Sequence, residues 1–131
     1  DDYIKSHVAK YLIVLCSGIY EDIFKNLIIE LAQKDTICKE VKEFIFKQVQ
    51  WSLRNPSFKN LKSFLERFSK EWVKKLNERI QDKNKDALTS IVNNKNLIAH
   101  GESSTITFPN IKQHYEDSKL IIEELDKIIL G

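Results

Sequence analysis

Apolar residues return at steps of three and four along nearly the whole chain, and this spacing confines it to helices. Ile4, Val8, Leu12, Leu15, Ile19, Ile23 and Leu27 make the first such stripe, widened by Tyr11, Tyr20, Phe24, Ile28 and Leu31. A period near 3.6 residues gathers those positions on one side of a helix, and no stretch reads convincingly as a strand. Glycine occurs three times and proline twice in 131 residues. That scarcity suits long helices joined by short turns and argues against a β-sandwich or barrel.

Boundaries follow from local chemistry. Asp35-Thr36 reads as a break with an N-cap, after which a second helix runs from about Ile37 to Leu53 with Val41, Phe44, Ile45, Val49 and Leu53 inward. Pro56 disfavours helix at Asn55, so Arg54-Asn55-Pro56-Ser57 is a turn. A third helical stretch places Leu61, Phe64, Leu65, Phe68, Trp72, Leu76 and Ile80 on one side, and Ser69 within it is either a kink or a restart. Gln81 to Asn84 read as a polar linker. A fourth helix covers Asp86 to Ala99, and Gly101 ends it as a C-terminal glycine often does. Beyond a Thr-rich connection over Glu102 to Phe108, Pro109-Asn110 open a last helix lined by Ile111, Tyr115, Ile122, Leu125 and Ile129. The expected fold class is all-α, a bundle of about five helices in one domain spanning residues 1–131. Gly18 sits inside the first helix at a cost of about 1 kcal/mol relative to Ala, which points to a close helix contact or a bend.

Several function classes fall away. Cys16 and Cys38 have apolar neighbours and no CxxC spacing, so they read as buried, reduced thiols rather than a zinc site. No apolar run approaches the roughly 18 residues of a membrane span, and no signal-peptide pattern opens the chain; a cytoplasmic setting is expected. The start at Asp1-Asp2, without Met, suggests a piece of a longer protein. Charge is uneven: residues 1–38 carry a net −2, residues 39–85 carry 13 basic and 6 acidic side chains for +7, and residues 86–131 carry −3. The basic middle is either a solvated helix surface or a face that attracts a polyanion such as RNA.

The stretch Asn93-Asn94-Lys95-Asn96-Leu97-Ile98-Ala99-His100-Gly101 puts a cation, an amide and an imidazole within six residues at a helix end. On an ideal wheel Ile91, Val92 and Ala99 fall within about 60° of Leu88, and Lys95 falls about 20° from it. A lysine on a core-facing line is costly unless it reaches a cleft, a partner or an anion. His100 lies about 140° from Lys95, so bringing the two together needs a frayed helix end or a second subunit. The plainer reading of His100 is a cationic cap at a helix C-terminus. Glu21 and Asp22 read as exposed helical carboxylates, His7 and His114 as surface or packing residues. Trp51 and Trp72 read as core residues rather than base-stacking platforms. No Ser/His/Asp set, phosphate-binding Gly-rich loop or metal cage is visible, so no cofactor is expected.

Lys95-Asn96-Leu97-Ile98-Ala99-His100-Gly101 resembles the HEPN motif, in which an Arg and a polar residue, commonly Asn, precede a His. Leu15-Cys16-Ser17-Gly18-Ile19-Tyr20-Glu21 and Phe68-Ser69-Lys70-Glu71-Trp72 are similar to the RiboL-PSP-type branch of that superfamily. The resemblance implies a metal-independent endoribonuclease, working as a homodimer whose two motifs face one cleft, in a toxin–antitoxin or anti-phage setting with an antitoxin or a fused regulatory domain. It implies His100 as acid/base, Lys95 as phosphate clamp, and Asn96 as the group that orients them or the scissile phosphate. Lys95 stands where the family usually has Arg. A lysine lacks the planar two-pronged donor set, which favours the alternatives of an idle RNA-binding or protein-interaction module, or a purely structural dimerisation bundle.

Overall fold

The computed structural model describes residues 2–34 and 37–131, and among them six helices form: α1 (Asp2–Lys34), α2 (Lys39–Ser52), α3 (Phe58–Phe68), α4 (Lys70–Arg79), α5 (Asp82–Ala99) and α6 (Phe108–Leu130). The expected count of five fails at Ser69. Its backbone is extended, its N–H closes α3 on the Leu65 carbonyl, and its Oγ accepts the Trp72 N–H at 3.3 Å to open α4. Ser69 is therefore a restart rather than a kink. The break expected at Asp35-Thr36 lies outside the described residues.

The remaining joints are set by capping. Ser57 Oγ accepts the Asn60 N–H and starts α3 directly after the Pro56 turn. The linker expected over Gln81 to Asn84 is instead the first turn of α5. Asn84 is buried; its Oδ1 accepts the Gln81 N–H at 2.7 Å and its Nδ2 donates to the Asp117 carbonyl at 2.6 Å, tying the start of α5 to α6. A polar residue that looked solvated is thus a cap and a crosslink between helices. Thr107 and Asn110 reciprocally cap α6, with Pro109 in its first turn, where a missing N–H is harmless.

α5 and α6 form the most extensive helix pair, and α1 packs on both. Leu88, Ile91, Ile121 and Leu125 meet Ile13, Tyr20, Phe24 and Ile28 in the centre. Tyr20 is buried, shares a 2.6 Å hydrogen bond with Ser118 Oγ, and has its pKa raised chiefly by burial. Its hydroxyl is a structural crosslink. Lys25, also buried, donates to Glu21 and Gln50, joining α1 to α2.

Tyr20, Phe24, Leu27 and Ile28 face inward as expected, but the first half of α1 turns a different face to the core. Ala9, Ile13, Ser17, Tyr20, Phe24, Leu27 and Ile28 are buried, while Ile4, Val8, Leu15 and Ile19 are exposed. On an ideal wheel Ile13 stands about 180° from Ile4, so two stripes of equal spacing share the helix. The expected stripe drifts inward only at its end, through Ile23 to Leu27. Gly18, assigned to a close contact or bend, is exposed, and a Cβ there would meet nothing within 4 Å. On α2, Val49 and Leu53 are buried as expected, whereas Val41, Phe44 and Trp51 face solvent. Cys38 is exposed at the N-cap of α2; Cys16 is half-buried, and burial raises its pKa.

Candidate functional site

The C-terminal end of α5 carries the motif, and glycine fixes its shape. Gly101 has φ of +72°, its N–H donates to the Ile98 carbonyl, and the Glu102 N–H donates to the Leu97 carbonyl at 2.8 Å. This pair of bonds is a Schellman closure, which needs a left-handed residue at the position of Gly101. His100 is consequently the C-cap, with its N–H on the Asn96 carbonyl and its side chain exposed. The chain beyond is held back against α5, because Ser104 Oγ donates to Asn94 Oδ1 at 2.8 Å and Asn94 Nδ2 donates to the Ser90 carbonyl.

Lys95 resolves its own anomaly by reaching the turn after α2. It is half-buried, and its Nζ donates to Asn55 Oδ1 at 3.3 Å, with a longer 3.5 Å contact to Asn96 Oδ1. Both acceptors are neutral amides. Among the described residues no carboxylate forms an ion pair with Lys95, so its charge is held in place without being neutralised. Glu21, by contrast, is occupied by Lys25 at 3.3 Å.

Asn96 and His100, one helical turn apart, line a shallow depression of about 430 Å³ with Asn93, Leu97 and Glu102. Lys95 is not part of that lining and touches the site through Asn96. The predicted separation of Lys95 and His100 on the helix therefore holds: no frayed turn brings them together, and Asn96 is the residue between them. The depression offers one imidazole, two amides and one carboxylate. A single chain thus places one imidazole and one carboxylate in the depression, with the Lys95 cation set to the side.

Asn55 went unrecognised from the sequence. Its turn was legible, but nothing in local spacing joins it to a lysine forty residues later. Trp51, assigned to the core, is 69% exposed, one turn of chain before Asn55. Trp72 does pack, stacked on Phe68 with ring centroids 6.0 Å apart.

A family model for RiboL-PSP-HEPN domains matches residues 1–131. The chain belongs to the RiboL-PSP-HEPN family. No curated protein and no solved structure matches it. The all-helical architecture of this HEPN domain is consistent with that membership, and its motif segment sits at a helix end open to solvent. Among the described residues no helix is long and apolar enough to cross a membrane. Nor does any group of three His, Cys, Asp or Glu side chains among them stand where it could hold a metal ion.

Proposed function

We propose that this HEPN domain is a metal-independent endoribonuclease that cleaves RNA at a site composed by two copies of the chain. The carrying observation is that the Lys95 ammonium is positioned by the amide oxygens of Asn55 and Asn96 and, among the described residues, paired with no carboxylate. Such a charge is available to the crowded phosphate of a transition state, where fixed positive charge acts most strongly. In the proposed reaction the ribose 2′-oxygen attacks phosphorus and the bond to the 5′-oxygen breaks. One His100 takes the 2′-hydroxyl proton and the His100 of the second copy gives a proton to the departing 5′-oxygen. The products are a 2′,3′-cyclic phosphate and a 5′-hydroxyl. Asn96 orients the phosphate or its two neighbours.

A second copy is required because one Lys95–His100 segment offers a single imidazole. The exposed stripe Ile4, Val8, Leu15 and Ile19 supports such pairing, as does an apolar groove of about 680 Å³ between the start of α1 and residues 104–109. That groove adjoins the connection that Ser104 fastens to the motif helix. A toxin–antitoxin or anti-phage role in the cytoplasm, under an antitoxin or a fused regulatory domain, is the biological setting we attach to this activity.

The second reading is a HEPN-like module that binds RNA or a protein partner without cutting, and Lys95 in the usual place of Arg favours it. Incubating labelled mixed-sequence RNA with wild type, Lys95→Gln and His100→Ala separates the two. Cleavage by wild type alone supports the nuclease. Binding by all three proteins with no cleavage selects the module.

A further inference from the structure

The exposed indole of Trp51 belongs to a groove whose lining is mostly polar. The groove encloses about 600 Å³ and is lined by Gln48, Trp51, Ser52, Asn60, Ser63, Phe64 and Arg67, with no carboxylate among them. Arg54 lies over the Trp51 ring with its guanidinium carbon 4.5 Å from the centroid. Arg67 is held along the groove by Ser52 Oγ at 2.7 Å and lies over Phe64 at 5.3 Å. An indole that is 69% exposed with a guanidinium over the ring still shows solvent much of its aromatic surface.

A chain of hydrogen bonds links the wall of the groove to Lys95. Asn60, in its wall, donates from Nδ2 to the Asn55 carbonyl at 2.8 Å, and the Asn55 side chain accepts from Lys95. Trp51, Arg54 and Asn55 span only five residues of chain, so whatever rests on the indole lies within a turn of the residue that holds the motif cation. The basic middle segment thereby meets the motif at this point. Aromatic faces flanked by cations, with amides and hydroxyls in reach, are the chemistry that binds unpaired bases and the phosphates between them. A protein helix would instead favour an apolar lining, and here Gln48, Ser52, Asn60 and Ser63 interrupt it.

We propose that Trp51, with Arg54 and Arg67 beside it, is a stacking subsite for an unpaired base of single-stranded RNA whose backbone runs on toward Lys95 and His100. This inference rests on the reading of the domain as an RNA-acting protein. It adds a preference for single-stranded over duplex RNA, because paired bases are already stacked within their helix.

The test is fluorescence anisotropy with a short fluorescein-labelled 2′-O-methyl RNA, which lacks the nucleophilic hydroxyl and stays intact, at one fixed salt concentration. Trp51→Ala is expected to weaken single-strand binding about tenfold, Trp51→Phe to restore most of it, and duplex binding to change less than twofold under either substitution. Trp51 is exposed, so far-ultraviolet circular dichroism should be the same for all three proteins. Lys95→Gln, measured in parallel, reports on the RNA reading separately. If Lys95→Gln weakens binding and Trp51→Ala does not, the subsite is overturned and the RNA reading stands. Equal losses on single strands and duplex overturn stacking, as does loss of self-association in sedimentation with RNA affinity unchanged. If wild type binds no RNA, both readings fall together.

Discussion

Lys95 and Asn55, forty residues apart in sequence, meet through a 3.3 Å hydrogen bond from ammonium to amide oxygen. The bond joins α5 to the turn after α2 and holds the Lys95 cation, which no carboxylate pairs with among the described residues. A carboxylate in the place of Asn55 would pair with the lysine more strongly and cancel the charge that the proposed phosphate clamp relies on.

Substitutions at Lys95 test that role. Lys95→Arg keeps the charge and adds a second prong, so cleavage is expected to hold or rise. Lys95→Gln removes the charge and should lower turnover by about 100-fold or more, the usual scale for losing one fixed group that stabilises transition-state charge. Single-turnover rates on one RNA measure both. A clear loss with Arg would contradict a phosphate clamp.

Gly101→Ala forces a Cβ into left-handed backbone, which costs roughly 1–2 kcal/mol in a helix closure that also positions His100. Melting should fall by about 4–7 °C, and cleavage at temperatures where the variant is fully folded should fall as well. Calorimetry alongside the cleavage assay separates the two effects, and a variant with lowered melting but full activity would detach the closure from the site.

The motif and the helical class were legible in the sequence because each depends on short-range pattern. Spacing of three and four sees a helix, and Lys95-Asn96 before His100-Gly101 lies within one element. The phase of the first half of α1 was not legible, although Tyr20, Phe24, Leu27 and Ile28 in its second half face inward as expected. Ile4–Val8–Leu15–Ile19 and Ala9–Ile13–Tyr20–Phe24 share the same spacing, and only the partner across the interface, Ser118 on Tyr20, decides which face turns inward. Ser69 and Asn84 were ambiguous for a related reason: small polar side chains serve equally as caps and as solvated linkers. Trp51 followed apolar periodicity yet stands outside the core, and Asn55 required a contact between distant segments.

The same ambiguity gives α1 a surplus apolar face. Paired Leu15→Glu and Ile19→Glu substitutions alter exposed positions, so the monomer's stability should change by less than about 0.5 kcal/mol. Sedimentation at micromolar concentration is expected to show a dimer for wild type and a monomer for the variant, with cleavage lost along with the dimer. A variant that stays dimeric would place the interface elsewhere.

Gly18→Ala offers a control on the same helix. A Cβ there meets open space, and the exchange should stabilise the monomer by about 0.5–1 kcal/mol through helix propensity alone. Urea unfolding of the dimer-deficient variant, with and without Gly18→Ala, measures it. A destabilisation would mean that something packs against that face even in the monomer.

The most direct measurement is the chemistry of the RNA ends. Labelled mixed-sequence RNA is incubated in excess EDTA with wild type and with His100→Ala, and the products are resolved by their terminal groups. Products from wild type alone, ending in 2′,3′-cyclic phosphate and 5′-hydroxyl, with both proteins showing the same helicity and melting, are the predicted result. Cleavage retained by His100→Ala, or abolished in wild type by EDTA, would contradict a metal-independent nuclease built on His100.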